Sequence, residues 1–338
     1  MSMEKLPSGN WRIRQMIDGK VYRVVTDHKP TKAEANDLIR AKIIMEGNKP
    51  NGDMTFQEAA RAYVEMKRNV LSPNTVREYL KTCDRLSEWF CKMKIDDINQ
   101  IAINKQINEL SVNRSPKTVR NYHGFISAIL GTFRPDMKIY TTLPQKRKID
   151  LNLPSDDDVL KLLSYMRTTD YYAAVCLAVM GLRRGEILAL TPDDFEIGEE
   201  GPIVHINKAV AIDENRNLVI KAPKTTRSIR DLDVDQELYN LIKSQGFVYK
   251  GCPTQITDAI SAAQKKLGMK HFSLHKLRHY FAAKALTITD IQTVMDMGGW
   301  DCPQTVQNIY AYSIEEEKKK ARKAAAEVFS SIFSQSRG

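Results

Sequence analysis

The chain has 338 residues, 42% of them hydrophobic and 27% charged, a composition ordinary for a soluble globular protein of two or three domains. Its five cysteines (Cys83, Cys91, Cys176, Cys252 and Cys302) form no CxxC pair and are odd in number. That argues against a disulfide framework or a structural zinc and fits a reducing cytoplasm; no apolar run has signal-peptide length or approaches the roughly 20 residues of a membrane span. The net charge of +10 is uneven, with an excess of three positive charges in 1–53, seven in 54–150 and none in 151–338, so the first half suits a polyanion such as DNA.

Residues 10–17 (NWRIRQMI) and 20–27 (KVYRVVTD) read as strands. Asp18-Gly19 between them is a hairpin signal, because both turn positions need positive φ. Thr31 with Glu34 forms a capping-box pattern before an amphipathic helix, so residues 1–50 make a small ββα module whose strands carry Arg12, Arg14, Lys20 and Arg23. GNKPNGD (47–53) is turn-rich and reads as a linker.

From Met54 to about Phe133 the pattern is helical. Thr55 with Glu58 is a second capping box, helices open at Ser72-Pro73 and Ser115-Pro116, and another covers about 98–110. The stripe Val76, Tyr79, Leu80, Leu86, Trp89, Phe90 predicts one helix running through the 80s. The starts LSPNTVREY (71–79) and RSPKTVRNY (114–122) repeat each other. They are either two copies of one capping solution or two helices that present Arg77 and Arg120 with their N-terminal dipoles to DNA phosphates.

Residues 134–152 read as an extended basic linker, and Ser155 caps a new helix. The remainder is mixed: helix over 172–190, strands at 203–211, 217–222 and 228–234, then helices at about 236–245, 254–267, 275–287, 290–297 and 303–311, with a last one across 314–334.

Four patterns follow one another in this region: GLRRGE (181–186), KAPKTTRSIRDL (221–232), HKLRH (275–279) and GGWDCPQTVQNIYAY (298–312). Together they resemble the tyrosine recombinase family, the phage and transposon integrases. In order they are similar to its G-L-R-x-G-E box, its K-T-x-x-S lysine turn, its H-x-L-R-H box, and its G-[HW] segment with a Tyr ten positions on. The resemblance covers about 170–320 and implies a catalytic set of Arg183, Lys224, His275, Arg278, Trp300 and Tyr310. Most such enzymes carry His where this chain has Trp300, which can donate only one N–H and cannot act as an acid. Lys221 is the alternative to Lys224, and Tyr312 competes with Tyr310. Glu186, as a holder of Arg183, and His279 are supporting candidates.

The chemistry is coherent on its own terms, because phosphoryl transfer needs mainly positioning and charge stabilisation. Arg183 and Arg278 can fork onto the non-bridging oxygens of a phosphate. His275, three residues from Arg278 on one helix, shares its face and can stabilise the phosphate or take the tyrosine proton. Trp300 can donate its indole N–H, Lys224 can protonate a leaving 5′-hydroxyl, and Tyr310 can attack to leave a 3′-phosphotyrosine. Neither ATP, a metal nor another cofactor is required.

The expected fold is multidomain and mainly α, in three parts. The resemblance makes 1–50 an arm-type DNA-binding module, 54–140 a helical core-binding domain, and 153–338 a mixed α+β catalytic domain with a small antiparallel sheet and a C-terminal helix or tail. The two larger domains are expected to clamp DNA like a C. The implied function is integration, and excision, of a mobile element such as a phage or transposon. It would take place in the cytoplasm of a bacterial host, on double-stranded DNA with core and arm-type attachment sites, as a homotetramer, with an accessory DNA-bending or directionality protein as an optional partner. The alternatives are a chromosome-dimer-type resolvase, a type IB topoisomerase and a catalytically silent DNA-binding relative.

Overall fold

The computed structural model describes residues 1–17, 19–45, 51–145, 151–222 and 226–335. Asp18 of the expected hairpin, the start of the 47–53 linker, and Lys224 lie outside the described residues. The chain divides into two compact units, 1–148 and 149–338.

The first unit opens with an antiparallel sheet of β1 (Ser2–Lys5), β2 (Trp11–Ile17) and β3 (Lys20–Thr26), in that order. The sequence predicts only two strands here, because SMEK is short and shows no apolar alternation. Ile13 and Tyr22 face α1 (Lys32–Met45) and pack on its Ala35, Ile39 and Ile43. Gly19 supplies the turn's positive φ of 77°. Strand alternation puts Arg12, Arg14 and Arg23 on the opposite face, where Arg14 and Arg23 are direct cross-strand partners. Lys20 pairs with Ile17 and shares the helix-side phase with Tyr22, so the four basic residues do not form one surface.

Five helices follow: α2 (Phe56–Met66), α3 (Pro73–Cys83), α4 (Glu88–Lys92), α5 (Gln100–Asn113) and α6 (Pro116–Phe133). Their core is aromatic, with Phe56 and Phe90 rings 4.7 Å apart and Tyr79 and Phe125 4.8 Å apart. The helix expected through the 80s is broken between Cys83 and Glu88, where Asp84 and Ser87 stand at a helix end and a helix start, although Leu86 and Phe90 still face the core. The repeated starts fold alike. Ser72 and Ser115 each accept the N–H three residues on, at 3.4 and 3.2 Å, and each hydroxyl meets the Thr hydroxyl at 2.9 and 2.8 Å.

Residues 134–145 do not run free. Arg134 donates to the carbonyls of Ile95 and Asp96 at 3.2 and 2.7 Å, the Tyr140 N–H donates to Gln100 Oε1 at 2.8 Å, and Arg120 donates to the Pro144 carbonyl at 2.9 Å. The expected linker is therefore, over this stretch, a strap hydrogen-bonded to its own unit.

In the second unit α7 (Asp156–Met166) begins with a capping box of Ser155 and Asp158. Next come α8 (Tyr172–Val179) and α9 (Arg184–Ile187), where one helix over 172–190 was expected. The break is a glycine turn: Gly181 has φ +95°, the Leu182 N–H reaches back to Leu177 O at 3.1 Å, and the Gly181 N–H reaches Ala178 O at 3.1 Å. Strands β4 (Phe195–Ile197), β5 (Pro202–Ile206), β6 (Ala209–Ile212), β7 (Leu218–Lys221) and β8 (Arg230–Asp233) form two small antiparallel sheets, β4-β5-β8 and β6-β7, rather than one. Helices α10 (Gln236–Gln245), α11 (Gln255–Lys266), α12 (Leu274–Ala285) and α13 (Ile291–Gly298) complete the body. The last helix, α14, runs unbroken from Pro303 to Gln335, where two helices were expected. No Gly or Pro interrupts it, and Ser313 at the expected break bonds back to Ile309 O at 3.0 Å within the helix.

Candidate active site

The four patterns meet at glycine turns and are interlocked by three arginines. At the end of α13, Gly299 has φ +67°, with the Trp300 N–H bonded to Met295 O at 2.8 Å and the Gly299 N–H to Asp296 O at 3.2 Å, the same closure as at Gly181. Each turn's glycine carbonyl accepts an arginine from elsewhere. Arg278 on α12 donates Nη1 to Gly181 O, and Arg183 at the start of α9 donates Nη2 to Gly299 O. A side chain at Gly181 is excluded twice over, by its φ and by the Phe281 ring 2.5 Å from where a Cβ would stand.

Glu186 holds Arg183. Its carboxylate accepts the Arg183 backbone N–H at 2.8 Å and Nη1 at 2.6 Å. Burial pushes this carboxyl pKa up, but the hydrogen bond and charge of Arg230, then those of Arg183, outweigh it and hold the pKa below the ordinary value. Arg230 is the third interlocking residue. It bonds both Glu186 oxygens at 3.0 and 3.3 Å, the Ser228 carbonyl at 3.2 Å, and, through Nε, the Met297 carbonyl at 2.7 Å.

Arg278 is 1% exposed, and its Nη2 has no hydrogen-bond partner among the described residues. Burial, then the charge of Arg183, lowers its pKa to about 9, so it is still a cation at neutral pH. A buried, incompletely paired guanidinium costs stability. An anion brought to Arg278 Nη2 would offset that cost. Its planar group lies 3.8 Å from the centroid of the Trp300 ring. Trp300 is 6% exposed and packs with Ala282, Met295, Val306 and Ile309. The sequence reading of Trp300 as an N–H donor missed this role as a platform. Gly298 makes room for the ring, since a Cβ there would stand 1.8 Å from Trp300 Cζ3.

His275 lies one turn before Arg278 at the exposed mouth of the site. Loss of hydration on its packed side, then the charges of Arg278, Lys276 and Arg183, lower its pKa, so the imidazole is neutral at pH 7 and able to accept a proton. The His279 ring lies 4.6 Å from that of His275, edge-on. Burial and then His275 push the His279 pKa down to about 4.

Tyr310 is 43% exposed on α14, one position beyond Ile309 and four beyond Val306, both buried in the cluster that holds Trp300. Tyr312 lies elsewhere. It lines a cavity of about 540 Å³ with Asp156, Tyr280 and Lys284, and Tyr280 and Lys284 stand on the face of α12 turned away from His275 and Arg278. Tyr310 does not line that cavity.

The other candidates are scattered. Lys224 lies outside the described residues; after it, Arg227 in the turn leading to β8 pairs with Asp296 at 3.0 Å. Arg77 lies against Glu78 at 3.4 Å, and Arg120 donates Nη2 to the Pro144 carbonyl of the strap at 2.9 Å. Arg12 pairs with Glu4 at 2.9 Å. Arg230 was missed although a signal was present: in RDLD it shares the alternation phase of Leu232, the inward phase of β8.

Two guanidiniums and a neutral imidazole can bind a phosphodiester and stabilise charge developing on it, and a surface tyrosine on α14 can supply an oxygen nucleophile. Residues 155–317, which hold every member of the candidate catalytic set, match the model of the phage integrase family, and residues 55–111 match the N-terminal SAM-like domain of phage integrases. The chain belongs to this family, the tyrosine recombinases, and is a site-specific DNA recombinase. Its fold is similar to that of the Tn1549 transposon integrase in complex with circular intermediate DNA, at 16% identity and a TM-score of 0.65 over 79% of this chain and 100% of that one. It is also similar to the lambda integrase dimer bound to a COC′ core site, at 13% identity and a TM-score of 0.58 over 91% and 94%. A comparison with curated proteins found no match. Among the described residues no helix is long and apolar enough to cross a membrane.

Proposed function

We propose that this recombinase integrates and excises a mobile element, cutting and rejoining duplex DNA through a 3′-phosphotyrosine at Tyr310. The observation that carries the reading is Arg278, a buried cation whose Nη2 has no partner among the described residues, interlocked with Arg183 through the Gly181 and Gly299 turns. The scissile phosphate takes its non-bridging oxygens to the two guanidiniums. His275 relieves Tyr310 of its proton as the oxygen attacks phosphorus, and Lys224 supplies the proton for the leaving 5′-hydroxyl. The phosphodiester energy is kept in the tyrosyl ester, and a 5′-hydroxyl from a partner strand reverses the step. The roles of Glu186 and His279 are to hold Arg183 and His275.

The DNA partner is supported by the Tn1549 and lambda integrases, bound to circular intermediate DNA and to a core site, and assembly by the lambda integrase tetramer bound to a Holliday junction. In the working assembly 54–140 and 153–338 act on the core site, while the open face of the N-terminal sheet, with Arg14 and Arg23 side by side, reads separate arm-type sites. The test is incubation of the intact protein with nicked core-site DNA. A covalent protein–DNA adduct resistant to denaturant is expected; binding without adduct would make the chain a silent DNA-binding relative.

A further inference from the structure

We infer that Arg230 is a positioning residue for strand cleavage: it shares the Glu186 carboxylate with Arg183 and thereby sets how much of Arg183 is left for the phosphate. The inference rests on the strand-cleaving reading above.

Glu186 is 4% exposed and faces two guanidiniums at once. Its Oε1 accepts Arg183 Nη1 at 2.6 Å and Arg230 Nη1 at 3.3 Å; its Oε2 accepts the Arg183 backbone N–H at 2.8 Å and Arg230 Nη2 at 3.0 Å. One buried carboxylate cannot neutralise two guanidiniums, so the group carries a net positive charge, and Arg183, with its side chain 34% exposed against 6% for Arg230, is the cation that opens to solvent. Without Arg230 the whole carboxylate charge falls on Arg183. The pair then becomes neutral and self-contained, and its attraction for a phosphate is lost.

Arg230 also fixes geometry. Its Nε bond to Met297 O lies two residues before Gly299, whose carbonyl anchors Arg183, and three before Trp300, the floor under Arg278. Its Nη1 bond to Ser228 O closes the turn that follows the lysine segment. One side chain thus connects the start of α9, the end of α13 and the start of β8. All of this requires the planar fork of arginine, with donors in two directions; a lysine ammonium on the same stem offers charge but cannot span the carboxylate and both carbonyls.

The experiment uses the full-length protein and nicked core-site DNA. It compares wild type with Arg230→Lys, Arg230→Met and Arg230→Met/Glu186→Gln, reading DNA affinity and, separately, the single-turnover rate of adduct formation at saturating protein. Arg230→Met is expected to bind DNA as wild type does but to form adduct on the order of 10²-fold more slowly, the scale for loss of a charge-stabilising group. Arg230→Lys should also be slow at unchanged affinity. The double variant, which removes the unshared carboxylate charge, should recover at least about tenfold over Arg230→Met, because coupled groups are non-additive. A wild-type rate in Arg230→Lys or Arg230→Met would overturn the inference. So would a loss of rate that tracks a loss of folding and is unrelieved in the double variant. If Arg230→Met does not fold, Arg230→Lys, which keeps the buried charge, decides alone. A wild-type protein that forms no adduct would instead sink the functional reading on which the inference rests.

Discussion

The guanidinium of Arg278 is stacked on the ring of Trp300, 3.8 Å from its centroid, in a site where neither is more than 6% exposed. A desolvated cation–π contact is worth about 2 kcal/mol, roughly 30-fold in rate if it is lost in the transition state. Trp300→Phe keeps a π face and should keep most of the cleavage rate; Trp300→Leu should lose about 30-fold with DNA affinity unchanged. Equal rates in the two variants would mean that the aromatic face is not used.

Gly298→Ala tests the same floor from beneath. Its Cβ would fall 1.8 Å from Trp300 Cζ3, so the ring or the α13 end must shift. Overpacking of this kind costs about 1–3 kcal/mol. The variant should melt at lower temperature and cleave more slowly than wild type. A stability and a rate both unchanged would show that the floor can give.

His279 makes stability depend on pH. Its pKa is about 4 in the folded chain, against an ordinary value of 6.5. Between those values the unfolded chain binds the extra proton, so the contribution is full above about 6.5 and is lost as pH falls toward about 4. The lowered pKa of His275 acts with the same sign. Chemical-denaturation midpoints taken from neutral pH downward should fall less steeply in His279→Gln than in wild type. Parallel curves would remove His279 from the account.

The far end of α14 carries Val328, Phe329, Ile332 and Phe333, each more than half exposed at 57%, 56%, 51% and 59%. An apolar face of this kind needs cover in the working protein. Cover by a neighbouring protomer on DNA would tie assembly to the helix that bears Tyr310, because α14 is continuous between them. Removal of 326–338 should leave a folded, DNA-binding protein with fewer protomers per complex in gel shifts and an altered cleavage rate. Unchanged assembly and cleavage would rule the docking out.

Much of the site was legible because its chemistry is local in sequence: GLRRGE and HKLRH each place an arginine within a short fixed frame, and the turn glycines are part of the pattern. What stayed hidden depends on partners far along the chain. Arg230 meets Glu186 44 residues away, and Arg120 is drawn to a strap 24 residues on, so neither fate shows in local spacing. In the N-terminal module strand alternation sets Lys20 apart from Arg12, Arg14 and Arg23, although the four read together in the sequence; the third strand was hidden because SMEK is polar and shows no apolar alternation. The continuity of α14 was missed because Ser313 can either end a helix or, as here, bond back within one.

Strand cleavage as proposed creates a covalent bond from Tyr310 to DNA. Its most direct test is to trap the adduct on nicked core-site DNA, digest both components and locate the nucleotide-bearing peptide residue by mass spectrometry, with Tyr310→Phe and Tyr312→Phe alongside. The expected result is a 3′-phosphate ester on Tyr310, no adduct in Tyr310→Phe despite normal DNA binding, and adduct retained in Tyr312→Phe. A modification on Tyr312, or an adduct that survives Tyr310→Phe, would contradict it.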